Sequence, residues 1–468
     1  MGTVHAKSET TTFTGGGGGS GGLFEFEEPM DIERDLPKQN IRLDGVRARV
    51  DRVHVDGLNR TKDDVIRSTV DELFHATDFE DVIIKAHKVR RALSSLGCFR
   101  DVGVFIDVSS GPAATPDGLE VTFQVKELSR IVGGVNTTVS ENEGNLVFGV
   151  KLPNVLGRGE KLAAQYSMGY RSTSNYSLEA TKPFPHRPLQ PIVSASVYQQ
   201  THEYPWSGYQ LLDRGVLMAL AFSTSPNTKH KLEWEGLIRD TSVLSKNTSF
   251  KVRESSGPQM KSILRHTVTV DTRDEAMFPT RGTCVAFTSE ASGLGGGVAQ
   301  LKAELKAEAN VKAAGAVVQL TGAAGVVHDL FGTGVADRLF LGGPTTMRGF
   351  RQRGVGPHHD TDATGGKLYV AGGLHLYCGL PFISNKGIVA ELLRTHFFVN
   401  VGTISPSEEE DISVPKLLSD VRISIGAGVA ARVAGVARLE LNYAVPIKAM
   451  RGDATAPGLQ LGLGASFL

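Results

Sequence analysis

Charged side chains that could take part in chemistry lie close together at Asp271, Arg273 and Asp274. Two carboxylates can act as general acid and general base when both reach the same substrate. Pro279 and Gly282 soon follow, however, and residues of these two types are typical of a turn between strands. We therefore expect a polar cluster at the end of a turn, which fixes the register of two strands, and not a catalytic pair.

A second group of possible ligands is formed by His358, His359 and Asp360. Neighbouring side chains of an extended chain point to opposite sides, so the two histidines are badly placed to share one metal ion. The sequence also lacks the glycine-rich pattern of a P-loop, which binds nucleotide phosphates. These observations predict a protein that is not an enzyme and that holds neither a metal ion nor a cofactor.

The composition narrows the class of protein further. The chain has 468 residues, of which 54 are Gly and 40% are hydrophobic, and its formal net charge is zero. The hydrophobic fraction excludes wholesale disorder, and the balanced charge argues against a nucleic-acid partner bound through phosphate contacts. Cys98, Cys284 and Cys378 lie far apart, which excludes a disulfide framework and a CxxC metal site.

The usual signals of a helical membrane anchor and of secretion are not found. The longest uncharged stretch, 368–385, contains three glycines and a proline, which disfavour a membrane-spanning helix. Residues 1–11 lack a basic segment followed by an apolar core, so we expect no secretory signal peptide. Membrane β-strands alternate between lipid-facing and lumen-facing residues, so a mean hydropathy of -0.10 does not argue against a barrel.

Three regions of different character follow one another along the chain. Residues 1–45 include a glycine-rich run and are expected to form a disordered tail. Residues 46–128 are expected to form a small α/β domain in the order strand, helix, helix, strand, strand. Thr61 and Asp64 suggest a capping box at its first helix. Residues 129–468 contain no convincing long helix.

The stretch 301–311 shows how this last region should be interpreted. Its residues are good helix formers, but every odd position from 301 to 309 is apolar and the even positions from 302 to 308 hold Lys or Glu. One face of an element must meet a single environment along its length. The period of two therefore favours a strand over a helix.

Sixteen such strand-length segments can be counted, the first at 131–139 and the last at 457–468. The longest connection between them is 329–366, which is too long for an ordinary turn. An even number of antiparallel strands of this length is typical of a transmembrane β-barrel. A large soluble β-sandwich is the alternative.

The long connection contains the tripeptide Arg348-Gly349-Phe350, and the chain resembles the β-barrel assembly and two-partner secretion superfamily here. In that superfamily this tripeptide marks an external loop that folds back into the barrel. The turn motif at 271–282 also matches a superfamily motif. Four residues near the C-terminus fit the superfamily's β-signal, and they are Gln460, Gly462, Ala465 and Phe467.

Two segments resemble the mitochondrial branch of this superfamily, whose members form the central barrel of the sorting and assembly machinery. They are 373–382 and 393–400. The resemblance implies a mainly β fold, with a 16-stranded antiparallel transmembrane β-barrel preceded by one small α/β POTRA domain. The domains implied are the tail 1–45, the POTRA domain 46–128 and the barrel 129–468.

The resemblance also implies roles for single residues. Arg348, with Gly349 and Phe350, is expected to anchor the long loop in the lumen. In bacterial members an acidic residue of the barrel wall usually meets this arginine. At the corresponding strands this chain has His375 and Asn400, which are the candidate partners. The usual ion pair and hydrogen bonds to Asn400 or to another wall residue are alternatives, so the true partner of Arg348 stays open.

The function implied is insertion of β-barrel precursors into the mitochondrial outer membrane, through a lateral gate between the first and last strands. The expected partners are those precursors, metaxin-like accessory subunits and outer-membrane lipid, with no nucleic acid and with the POTRA domain in the intermembrane space. A two-partner-type polypeptide translocator, or a bacterial or plastid barrel-assembly relative, is the alternative.

Overall fold

The computed structural model describes residues 3–7, 46–112, 114–139, 144–169, 173–185, 187–313, 315–380, 392–405, 414–433, 437–464 and 467–468. Most of the predicted tail 1–45 lies outside these residues, as does 381–382 of the motif that resembles the mitochondrial branch. The chain divides into two compact units. One unit comprises 1–136, 148–165 and 178–194, and the other comprises the remaining residues.

The first unit contains a small α/β module. Its elements are β1 (Thr3–Lys7), β2 (Arg49–Asp56), α1 (Asp63–Val70), a 3-10 helix (Asp71–His75), α2 (Phe79–Ser95), β3 (Phe99–Val108) and β4 (Gly118–Glu127). The strand, helix, helix, strand, strand order predicted for this region is present. The four strands lie in the order β1-β2-β4-β3, in which β2 runs parallel to β1 and β4.

The core of the module forms because α2 carries its apolar residues on one face. Val82, Ala86, Val89 and Leu93 recur every three or four positions and are all buried. They belong to one cluster that also includes residues of the sheet, such as Phe123 of β4. Cys98 lies in this core, where burial raises the pKa of its thiol to about 12, so it behaves as a small apolar side chain.

Sixteen described strands form a single antiparallel sheet. The first eleven are β5 (Val132–Val139), β6 (Gly144–Pro153), β7 (Lys161–Gly169), β8 (Ser174–Pro183), β9 (Ile192–Tyr204), β10 (Tyr209–Ser225), β11 (Thr228–Val243), β12 (Gly257–Asp271), β13 (Gly282–Ser292), β14 (Ala299–Ala313) and β15 (Ala316–Phe331). After a separate ribbon of β16 (His358–His359) and β17 (Asp362–Ala363), the other five are β18 (Leu368–Cys378), β19 (Leu393–Ile404), β20 (Arg422–Val433), β21 (Ala437–Lys448) and β22 (Gly458–Gly464).

The strand order follows the chain, with β5 and β22 at the two ends of the sheet. The exception is β15, which pairs with β18 across the long connection. The prediction of a mainly β chain with sixteen antiparallel strands is thus confirmed. Only short helices accompany the described part of this sheet, α3 (Phe250–Glu254) and α4 (Val414–Ser419). None of the described helices is both long and apolar enough to cross a membrane.

Side chains alternate across the sheet with the expected period of two. In β21, Glu440 and Asn442 are buried, whereas Leu441 and Tyr443, which alternate with them, are exposed. We call the side that carries Glu440 the polar face and the other side the apolar face. The stretch 301–311, with its helix-forming composition, lies within β14 and exposes its leucines in the same way. The need to present one face to one environment has overridden helix propensity there.

The capping box predicted for the first helix is wrong. Helix α1 begins at Asp63 after Lys62, and no side chain caps it. The Thr61 hydroxyl instead donates to Glu127 Oε1 at 2.6 Å, and this carboxylate also accepts the backbone N–H groups of Asn59, Arg60 and Thr61. An ionised carboxylate is a strong acceptor, and Glu127 takes the Thr61 N–H that the Asp64 carboxylate would have accepted in a capping box.

Glu127 also fixes the module to the turn between β6 and β7, within the same unit. The Asn154 side-chain amide donates to Thr61 Oγ1 at 2.8 Å and accepts from Gly159 N at 2.8 Å. Burial opposes ionisation of Glu127, but the hydrogen bonds from Thr61 and from backbone N–H groups outweigh it, so its pKa lies below its ordinary value. The carboxylate is therefore the centre of this polar junction.

Replacing the carboxylate tests this junction. We expect Glu127→Gln to lower the local opening free energy around Arg60 and Thr61 by about 1–3 kcal/mol, because an amide cannot accept from all of these donors. Hydrogen–deuterium exchange of the full chain would measure it. The exposed Asp101→Asn is the matched control and should change nothing. Because the pKa is depressed on folding, the stabilisation is present above pH ~4.3 and is lost as the pH falls through the folded value. Equal protection in both variants would refute the role of Glu127.

Candidate functional site

The long connection between β15 and β18 runs over the polar face and carries the Arg348 tripeptide. Gly343 and Gly349 show why its path needs glycine. Gly343 has φ +116°, and a Cβ there would lie 1.9 Å from Gln352 Oε1. Gly349 has φ +84° and packs against Ser424 and Pro446 of the sheet. Both backbone conformations are strained for residues that carry a side chain.

Arg348 is completely buried, and within the described residues it bonds to the wall, that is, to side chains of the polar face, and to the C-terminal end. Its Nη2 donates to Glu440 Oε2 at 2.7 Å and its Nε to the same oxygen at 3.2 Å. Its Nη1 donates to Asn400 Oδ1 at 3.2 Å and to the backbone oxygen of Leu468 at 2.6 Å. A guanidinium has five donors and always stays charged, so a site without water must supply such acceptors.

Aromatic rings flank the charge. The guanidinium carbon of Arg348 lies 5.0 Å from the centre of the Phe398 ring and 5.4 Å from that of Phe467. The faces of the two rings carry negative charge density and exclude water. The resulting environment strengthens the ion pair with Glu440, because screening by solvent is absent.

Glu440 is shared by several groups of the polar face. Its Oε1 lies 3.0 Å from Arg438 Nε and accepts from the Tyr377 hydroxyl at 3.3 Å. Its Oε2 accepts from Asn442 Nδ2 at 2.9 Å as well as from Arg348. One carboxylate thus faces two guanidinium groups, and the network spans β18, β19 and β21.

The two partners considered for Arg348 behave differently. Asn400 is bonded to it, and its Nδ2 also donates to the Leu468 oxygen at 3.1 Å. Within the described structure, His375 bonds instead to Thr321 at 3.2 Å and to His396 at 3.0 Å. His375 lies two residues along β18 from Gly373, which is the residue paired with Asn400, and its ring contacts Thr321 of β15 and His396 of β19 instead.

Glu440 was the residue that sequence reasoning missed. An acidic wall residue does meet Arg348, but it lies in β21 and not in the two strands where a partner was sought. The available signal was the alternation of Arg438, Glu440 and Asn442 with apolar residues along that strand. Glu440 is a carboxylate at a polar-face position of this strand, which makes it a candidate partner for Arg348.

Phe350 packs with the rest of the long connection and with the wall. It is fully buried and belongs to a cluster with Leu341 and Met347 of the connection and with Tyr369 and Ile404 of the sheet. Its backbone forms an isolated bridge to Thr455. The tripeptide is therefore held by charge, by apolar contact and by backbone pairing together.

The β-signal residues lie beside the same loop. Gln460 of β22 accepts from Gly349 N at 2.8 Å and donates to the Phe350 oxygen at 3.2 Å. A Cβ at Gly462 would lie 2.9 Å from the Phe467 ring. Phe467 is buried, and its ring also stacks at 4.6 Å from the guanidinium carbon of Arg438. Ala465 lies outside the described residues.

The turn motif lies between β12 and β13. Arg273 makes a bidentate contact with Asp271, at 3.0 and 2.9 Å, and a further one to Glu308 at 3.1 Å. Asp274 accepts from the Thr280 hydroxyl and backbone N–H, which hold the pKa of its carboxyl well below its usual value. At Gly282 a Cβ would lie 2.3 Å from the Thr272 oxygen.

The remaining residue of this motif, Pro279, is buried beside Phe278. The carboxylates of Asp271 and Asp274 are thus occupied by guanidinium, hydroxyl and N–H donors of the turn itself. Such an arrangement stabilises the turn and the pairing of its two strands. This geometry favours the predicted polar cluster, which fixes the register of two strands, over a catalytic pair.

Comparison with known proteins adds to this geometry. A family model described as the Omp85 superfamily domain matches residues 154–467. The chain belongs to the Omp85 superfamily. Sorting and assembly machinery component 50 homologs of Bos taurus and Homo sapiens are 41% and 40% identical over 476 aligned residues, which cover 100% of this chain and of each relative. Within the superfamily the chain belongs with these homologs.

A solved structure supports the fold. BamA from Haemophilus ducreyi lacking POTRA domains 1–3 matches with a TM-score of 0.72 at 17% identity, covering 89% of this chain and 84% of that chain. The sixteen-stranded sheet thus has a BamA-like fold. The superfamily match includes the turn at Asn154, the Arg348 loop and β22, but it does not include the module at 46–128.

Removing the buried Glu440 carboxylate should lower the stability of the sheet. We expect Glu440→Ala to destabilise the sheet by about 3–5 kcal/mol, because Arg348 and Arg438 would keep buried charges without their carboxylate. The half-buried Glu304, which pairs with Lys302 at 2.7 Å, is the matched control, and Glu304→Ala should cost about 0–1 kcal/mol. The temperature at which the detergent-solubilised protein loses its compact band on gels would measure both. Equal losses in the two variants would contradict this assignment.

Proposed function

We propose that the chain folds and inserts β-barrel precursors into the mitochondrial outer membrane through a lateral gate between β5 and β22. The names of its relatives, which belong to a sorting and assembly machinery, support this function. They also support a non-enzymatic role. The free energy for insertion would come from backbone pairing and from burial of apolar surface in lipid, without a nucleotide.

The two faces of the sheet support a place in a membrane. Large apolar side chains are exposed at every second position of many strands, for example Leu320 of β15 and Leu441 and Tyr443 of β21. Charged residues such as Glu440 occupy the alternate positions. This distribution suits an outer side in lipid and an inner side in a polar lumen.

The gate is proposed for the two ends of the sheet. A strand at the end of a sheet has backbone N–H and C=O groups without partners, which are costly in lipid. Gly462 inside β22 weakens the strand, because interior glycines lower strand stability, and Gly458 and Gly464 form its two ends. An incoming precursor strand can pair with such an edge by β-augmentation.

The contact between Gln460 and the Arg348 loop carries the proposal. It joins the last strand of the sheet to the one long connection of the described barrel strands, through Gly349 N at 2.8 Å. Both members of this contact belong to motifs named from the sequence. A loop that holds the terminal strand is placed to control whether that strand pairs with β5 or with a precursor.

The α/β module at 46–128 is proposed to be a POTRA domain. Its strand, helix, helix, strand, strand order supports this, and the resemblance implies that it lies in the intermembrane space. The expected partners are barrel precursors and accessory subunits of the machinery, with metaxin-like subunits among them. The tail before residue 46 receives no role in this proposal.

Site-specific disulfide trapping tests the gate. In a chain whose three native cysteines are replaced, we expect Leu459→Cys of β22 and Val135→Cys of β5 to crosslink with a cysteine in the terminal strand of a precursor. Both residues are exposed on end strands. Ile238→Cys of β11 is the matched control, exposed on an interior strand of the same sheet.

The pattern of crosslinks decides between mechanisms. Crosslinks from the two end strands alone support lateral insertion. Crosslinks confined to polar-face positions, such as Lys302→Cys of β14, would indicate passage through the lumen, as in a translocator. Equal crosslinking at Ile238→Cys would show that the end strands have no special role.

Substitution of the loop arginine tests the anchor. We expect Arg348→Lys to slow precursor assembly about tenfold, because a single ammonium cannot reproduce the contacts of the guanidinium with Glu440, Asn400 and Leu468 and loses roughly 1.4 kcal/mol or more of charge-assisted bonding. Import of a radiolabelled barrel precursor into mitochondria would measure the rate. The exposed Arg351→Lys in the same loop should leave it unchanged. Wild-type rates for Arg348→Lys would show that the anchor is not needed for assembly.

A further inference from the structure

The Arg348 loop makes a second set of polar contacts at a distant part of the sheet. Asp337, in the short 3-10 helix Val335–Asp337, forms an ion pair with Lys261 of β12, and only 2% of each side chain is exposed. Its Oδ1 also accepts from Arg239 Nη1 of β11 at 3.5 Å. Neither the sequence motifs nor the superfamily match singles out these residues.

The cluster is closed by a further carboxylate. Arg239 makes a bidentate contact with Asp213 of β10, with both distances at 2.8 Å. Two acids and two bases thus face one another, and three neighbouring strands supply all of them except Asp337. A buried charge of this kind is stable only when it is paired, so the loop residue belongs to the structure of the wall.

A cationic clamp lies beside this cluster. Arg353 is sandwiched between the rings of Tyr204 and Phe340, with its guanidinium carbon 4.0 and 3.9 Å from the ring centres. It also donates to the Tyr209 hydroxyl at 2.8 Å and to Ser207 Oγ at 3.0 Å. The φ of Arg353 is +56°, a conformation that a residue with a side chain adopts at a cost. These contacts hold it there.

The two attachment regions are far apart in the strand order. Asp337 and Arg353 bind to β9, β10, β11 and β12 or to the turn between β9 and β10, whereas Arg348 binds to β19 and β21. In the sheet, four strands, β13, β14, β15 and β18, lie between β12 and β19. The loop therefore acts as a strut across the polar face.

We infer that Asp337 is a positioning residue, the fixed end of this strut, which sets the place where Arg348 and Gly349 meet the wall and β22. The fixed end rests on strands in the middle of the sheet. The other end contacts Gln460 and Leu468, near the end of the sheet. The consequence of this positioning for precursor assembly rests on the proposed function, but the positioning itself does not.

The experiment measures the position of the loop directly. Arg351 N lies 2.9 Å from the Ala454 oxygen, so a cysteine pair at these positions reports how the loop sits against the segment before β22. In a chain without its native cysteines, Arg351→Cys/Ala454→Cys should oxidise readily. We expect Asp337→Asn to slow disulfide formation about tenfold, because one partner of a buried pair is lost.

Charge exchange provides the decisive comparison. Asp337→Lys alone should slow the reaction more than Asp337→Asn does, and Asp337→Lys with Lys261→Asp should restore much of the rate. Asp329→Asn is the matched control, because Asp329 pairs with Arg338 at 2.5 Å near the same loop but outside the cluster. It should have no effect on the Arg351–Ala454 reaction.

Several results would separate this inference from the proposed function. Unchanged oxidation in Asp337→Asn and Asp337→Lys would overturn the inference, whatever the assembly rate. Slower oxidation with rescue by exchange would support it even if precursor assembly were normal, in which case the role of the loop in the proposed function would fail. If the Asp337 variants do not fold, Arg353→Lys provides the same readout at the clamp, and an unchanged rate there would count against the strut.

Discussion

The buried ion pair between Arg348 and Glu440 is the interaction on which the loop and the last strands depend. Neither side chain is exposed to solvent, and their closest atoms lie 2.7 Å apart. Transfer of a charge from water is expensive, so Arg348 is stable in the polar face only with the Glu440 carboxylate in place. The long connection therefore has to fold onto the wall, and Asn400 and Leu468 are drawn into the same contact.

The alternation of the sheet makes such a pair possible. Because successive side chains point to opposite faces, β21 can bury Glu440 while Leu441 stays exposed on the apolar side. The zero net charge of the chain thus does not describe an evenly polar surface. Within the sheet, the polar face gathers acids and bases that neutralise one another, such as Lys261 with Asp337 and Arg348 with Glu440.

The sequence was sufficient for the strands and insufficient for the partners. A period of two is a local property, so it identified the strand at 301–311 against its helix propensity. The pairing of Arg348 with Glu440 joins residues 92 positions apart and depends on which strands stand opposite the loop. The error at Thr61 has the same cause, because Glu127, which takes its hydroxyl, is 66 residues away.

The contacts that join β22 to the Arg348 loop are weaker than the contacts that join this loop to the wall. Gln460 holds the loop through two neutral hydrogen bonds, each worth about 1 kcal/mol. Arg348 would still keep Glu440 and Asn400 if Leu468 moved away. Loss of the neutral bonds leaves no buried charge without a partner, whereas withdrawal of Arg348 would separate its charge from Glu440 and leave that carboxylate with Arg438 alone. Strand β22 can therefore part from the loop at a lower cost than the loop can leave the wall, so a moving terminal strand would pass along a loop that stays in place.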